Sequence, residues 1–81
     1  MNEENLNTQV IESLIAVAPE IAPEEINPAV SFRDQFDIDS IDFLNFILTL
    51  EKQLGIKIPE VDYPKLSSQQ GSINYLLKFL R

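Results

Sequence analysis

The sequence predicts an all-α fold: a small bundle of three to four helices, with a long ordered loop between the first two main helices. Three observations carry this. Apolar residues recur at helical spacing in separate stretches near residues 3–18, 40–54 and 69–80. No alternating apolar–polar pattern persists long enough for a strand, and nothing repeats. The connection at 19–38 holds Ile21, Ile26, Val30, Phe32, Phe36 and Ile38, too many apolar residues for a free linker. With 81 residues there is room for one small domain, so 1–81 is read as a single unit.

Each element has a local reason. Leu6, Val10, Leu14 and Val17 share one helical face, with Ile11 and Ile15 beside them, and Pro19 ends that helix by disfavouring helical geometry at Ala18. "PEEI" at 23–26 suits one helical turn, with Pro23 at its first position. "SFRD" at 31–34 has the form of a capping box and predicts a second short turn. The second main helix is "SIDFLNFILTLEKQL", 40–54, with Asp39 as its N-cap and Gly55 in the turn that follows. "IKIP" leads out in extended form, and "EVDYPKL" at 60–66 holds a short helical segment in which Pro64 fits only a first turn or a break. Ser67 or Ser68 caps the last helix, about 69–80, whose apolar set is Ile73, Leu76, Leu77 and Leu80.

Composition excludes several functions. There are no cysteines, hence no disulfides or thiolate nucleophiles, and no histidines, the usual near-neutral base and zinc ligand. No glycine-rich phosphate loop or EF-hand spacing is present, so no catalytic set, no dedicated metal site and no enzyme are expected. The net charge of −7 disfavours nucleic acid and anionic membranes as partners. It suits basic partners, and it also suits plain solubility. No apolar run approaches the ~20 residues of a membrane span, and the polar N-terminus does not read as a signal peptide. The expectation is a soluble, cytoplasmic, monomeric protein.

Placing residues at about 100° per step divides the second helix into two apolar groups. Phe43, Phe46, Ile47, Leu50 and Leu54 cluster as a core face, and Leu44 extends that arc. Ile41 and Leu48 fall on a separate column with Asn45 and Lys52 for neighbours. Isolated exposed aliphatics are ordinary, but two of them two turns apart also suit a partner-contact patch. Ser40 takes the first helical position, where outward-pointing N–H groups favour an anion. Asp37, Asp39 and Asp42 surround it. On these residues alone, "DIDSID" reads as a helix cap or as a modification point.

From Asp39-Ser40-Ile41 outward the chain resembles the acyl carrier protein and peptidyl carrier protein family. The likeness extends through "FRDQFDIDSIDFLNFILTLEKQLGIKIPE", with Ile58-Pro59 after the helix, to the terminal "NYLLKFL", and covers nearly the whole chain. The resemblance implies an acyl carrier protein-type bundle. It implies that Ser40 Oγ attacks the β-phosphorus of coenzyme A and receives 4′-phosphopantetheine from a magnesium-dependent phosphopantetheinyl transferase, with Asp39 aiding recognition. The arm ends in a thiol that this chain lacks, so acyl or aminoacyl groups ride as thioesters between acyl-loading and acyl-using enzymes. Fatty acid and polyketide biosynthesis are the settings implied. Ile41, Asp42, Leu48 and Glu51 are the implied partner contacts, and Phe43, Phe46 and Ile47 the implied acyl pocket.

The chain also departs from the family. Asn45 and Lys52 stand where acids are common, which predicts poor binding to fatty-acid synthesis enzymes and a more specialised pathway. Phe43 is bulky for its position, which predicts a partly filled pocket and short cargo. Pro64 shortens the third helix of the family pattern, and Gln69 replaces a usual apolar residue. The rival reading is a non-carrier helical interaction module of similar fold.

Overall fold

A computed structural model of the chain describes residues 2–80. Helix α1 runs Glu3–Val17 and starts where the Asn2 side chain accepts the Asn5 N–H at 2.8 Å. Glu3 and Glu4 in its first turn complement the helix dipole. It stops at Ala18, whose N–H donates to the Leu14 carbonyl. Leu6, Val10 and Leu14 bury their side chains toward α3 (Ser40–Leu54) and α4 (Gln69–Phe79).

The connection between α1 and α3 is ordered by three devices. Pro23–Glu25 forms a single 3₁₀ turn, and Phe32–Gln35 forms the short helix α2, capped by Ser31 Oγ on the Asp34 N–H at 3.1 Å. The Gln35 side-chain amide accepts from Asn27 N–H and donates to the carbonyls of Asn27 and Val30, each at 2.9 Å, and so staples the turn between them. Ile21, Ile26, Phe32 and Ile38 are buried, so the loop belongs to the core. Its burial is possible because its backbone groups find partners: Phe32 N–H donates to Ser67 O at 2.8 Å and Gln70 N–H to Pro28 O at 3.0 Å.

Residues Glu60–Leu66 form a 3₁₀ helix containing Pro64, followed directly by α4, whose N-cap is Ser68 rather than Ser67. The two elements approach closely at Gly71, where an added Cβ would lie 2.7 Å from the Lys65 carbonyl oxygen. Asp62 ties them together by accepting from Tyr75 Oη at 2.8 Å, and within its own helix it pairs with Lys65 at 3.5 Å. Partial burial, then this hydrogen bond and the carboxylate charge, push the Tyr75 phenol up to about 12.

Three polar residues lie in the apolar core, among them Ser72, whose Oγ donates to the Leu66 carbonyl at 3.1 Å. Ser13 Oγ donates to Gln53 Oε1 at 3.3 Å across α1 and α3. Gln69 is buried and donates to Asn7 Oδ1, which pins α4 to α1. An apolar residue there would leave that contact unmade. Among the described residues no helix is long and apolar enough to cross a membrane.

Candidate functional site

The site is built at the N-terminus of α3. Asp39 is extended, with φ −104° and ψ −174°, and its Oδ1 accepts the Asp42 N–H at 2.9 Å. Asp42 returns the bond, its Oδ2 accepting the Asp39 N–H at 3.2 Å. The pair is a complete capping box with a carboxylate on each side. Sequence reasoning finds Asp39 as the cap but not Asp42 as its reciprocal partner. It gives Asp42 to partner contact, yet this half-buried residue already has one oxygen engaged.

This division of labour frees Ser40. It is the first residue of α3 and is exposed, and its hydroxyl makes no hydrogen bond among the described residues. It opens onto a cleft of about 440 Å³ between the start of α3, α2 and the 60–66 helix. Phe43, Leu44, Tyr63 and Pro64 form its apolar walls, and Arg33 and Glu60 its charged ones.

The three residues expected in an acyl pocket separate in depth. Phe43 lines the cleft and is half-buried, whereas Phe46 and Ile47 lie fully buried inward of it. Phe43 and Phe46 rings are 6.0 Å apart, and Phe46 meets Phe32 edge-on at 5.3 Å. Leu44, placed on the core arc by helical geometry, is 41% exposed on the cleft wall. The correction has a simple cause. A helical projection assumes one neighbour along the whole helix, but near its first turn α3 faces a gap rather than a packed element.

Ile41 is 67% exposed and Leu48 46%, on the face away from the core. Glu51 is half-buried, and its Oε2 accepts the Ile58 N–H at 2.7 Å. That bond fixes the extended exit from α3, a task that the periodicity of the helix does not reveal. Among the described residues no group of three or more potential metal ligands converges.

The family model for the phosphopantetheine attachment site matches residues 9–71, a span that includes this capped turn and its serine. The chain belongs to the phosphopantetheine-attachment-site family. Its prosthetic group is therefore phosphopantetheine, and its role is that of a carrier, not a catalyst. The chain is similar to the protein named acyl carrier protein from Lactobacillus acidophilus, 33% identical over 76 residues that cover 94% of each chain. It is 26% identical to the acyl carrier protein of Thermosynechococcus vestitus over 94% of this chain and 93% of that one. With that of Myxococcus xanthus it shares 31% identity over 80% of this chain and 91% of the relative.

The residues present fit the group. An unengaged, exposed hydroxyl at a helix N-terminus gives an attachment atom, and the neighbouring cleft offers both apolar walls and a cation.

Proposed function

We propose that this chain is an acyl carrier protein whose 4′-phosphopantetheine arm is attached through Ser40 Oγ. The observation that supports this most is the free hydroxyl of Ser40 beside a capping box that does not need it. When bound, the arm supplies the thiol on which an acyl or aminoacyl group is held as a thioester. Residues 1–81 act as one carrier domain, monomeric and cytoplasmic, that meets a phosphopantetheinyl transferase and then acyl-loading and acyl-using enzymes.

The chain's own residues divide these tasks. Asp39 fixes the turn that presents Ser40 and offers its carboxylate to the transferase. Ile41 and Leu48 give partners an apolar contact, and Asp42 offers them its charge. Glu51 contributes through the loop it anchors as well as through its charge. Asn45 and Lys52, exposed on the same side, weaken attraction to basic enzyme surfaces and favour a specialised pathway. The packed rings of Phe43, Phe46 and Phe32 fill the interior behind the cleft, which favours short cargo.

Incubating the protein with coenzyme A, magnesium and a broad-range transferase tests the attachment. Intact mass rises by one phosphopantetheine, and Ser40→Ala abolishes the rise. No modification by several transferases would favour a non-carrier interaction module. The short-cargo reading is abandoned if long-chain acylation produces large NMR shifts at Phe43 and Phe46. Mass spectrometry of the thioester on the native protein identifies the cargo itself.

A further inference from the structure

Arg33 is the one cationic side chain lining the cleft that opens at Ser40. It projects from a rigid mount. Its neighbour Phe32 is fully buried against Phe46, the Phe32 N–H donates to Ser67 O at 2.8 Å, and Ser31 bridges to Ser68. Yet the guanidinium itself is unengaged. Among the described residues the one ion pair is Lys65–Asp62, so neither Glu60, which also lines the cleft, nor any other described carboxylate pairs with it. An unpaired arginine held at the mouth of a cleft, in a chain of net charge −7, is a cation kept available for an anion.

We propose that Arg33 pairs with the phosphodiester of the prosthetic arm and thereby lays the arm into this cleft. The inference rests on the attachment at Ser40. Guanidinium groups bind phosphate oxygens through two parallel hydrogen bonds, which fixes direction as well as proximity. The remaining chemistry of the cleft matches the arm beyond its phosphate. Phe43, Leu44 and Pro64 offer apolar surface to the geminal methyl groups, and Ser31, Ser67 and Glu60 offer partners to its amides and hydroxyl. A volume of about 440 Å³ falls within the range of small-molecule sites, about 300–1,000 Å³. Arg33 is thus a positioning residue. It sets where the arm rests on the carrier, and so how readily a partner draws the thiol away.

The test uses the arm-bearing protein, wild type, Arg33→Gln and Arg33→Lys, each first checked for the added arm by intact mass. Phosphorus NMR reads the phosphodiester, and nuclear Overhauser contacts from the geminal methyl protons to the Phe43 and Tyr63 rings read docking. In the wild type those contacts are present and the phosphorus shift differs from that of the same phosphodiester on the urea-unfolded protein. Arg33→Gln lowers the docked-to-free ratio roughly twofold to fivefold, the range for an exposed ion pair, and Arg33→Lys retains part of it. Added salt weakens docking in the wild type and leaves Arg33→Gln unchanged. Because Arg33 is exposed, unchanged backbone amide shifts in α1 and α4 show that the variant is folded. If Arg33→Gln disturbs them, the salt titration of the wild type decides alone. Identical phosphorus shifts and contacts in wild type and Arg33→Gln would overturn the proposal, as would a wild-type arm whose phosphorus shift equals that of the phosphodiester on the unfolded protein. Failure to gain any arm overturns the attachment reading instead, and is seen at the mass measurement before any spectrum is taken.

Discussion

At the scale of single residues, the capping box decides how the attachment turn behaves. Asp39 caps α3, and the transferase recognition proposed for it is a second job that substitution can separate from the first. Asp39→Ala removes the acceptor for the Asp42 N–H and costs about 0.5–2 kcal/mol of stability, measured by urea unfolding. Asp39→Asn keeps an acceptor and a good cap, so it leaves stability nearly unchanged while removing the charge. A fall in the rate of modification of Asp39→Asn at unchanged stability assigns the carboxylate to recognition; an unchanged rate assigns it to capping alone. Gly55 is a second such position. It closes α3 at φ 66°, and a β-carbon added there would meet nothing within 4 Å, so its requirement is one of backbone conformation and not of space.

At the scale of elements, the 60–66 helix forms one side of the cleft, and its spacing from α4 is set at Gly71. Gly71→Ala drives a Cβ against the Lys65 carbonyl and the Ser68 cap oxygen. The expected cost is about 1–3 kcal/mol by urea unfolding, the usual range for overpacking, with amide shifts concentrated at Asp62, Lys65 and Tyr75. Equal stability with no shifts there would mean that the two elements are not held in register. The helices themselves are legible in the sequence, because their signals are local: Pro19 stops α1, Asp39 and Gly55 bracket α3, and serine caps α4. So is the loop's place in the core, since Ile21, Ile26, Phe32 and Ile38 are too apolar for solvent. What is not legible depends on residues distant in the chain. The Gln69–Asn7 contact, the Glu51–Ile58 bond and the exposure of Leu44 follow from which element packs beside which, and periodicity within one helix carries no such information. The cleft escapes for the same reason, although Pro64, a visible departure from the family pattern, lies in its wall.

At the scale of the whole molecule, a charge of −7 on 81 residues acts against compactness. Moderate salt or magnesium is expected to raise the thermal midpoint by screening that repulsion. A midpoint that stays level or falls would show that self-repulsion is not an important term. The same charge leaves Arg33 and Lys52 as cations on the faces the chain presents near Ser40 and Leu48, so partners are met by a mixed surface and not by a uniformly acidic one. The central claim, that a bundle of this kind carries its arm on the serine at the start of α3, is tested most directly by locating the arm. After modification, trypsin cleavage at Arg33 and Lys52 releases the peptide 34–52, in which Ser40 and Thr49 are the only hydroxyl side chains. Fragmentation is predicted to place the whole added mass on Ser40. Added mass on Thr49, or on a peptide carrying Ser31, Ser67 or Ser68, would contradict the account.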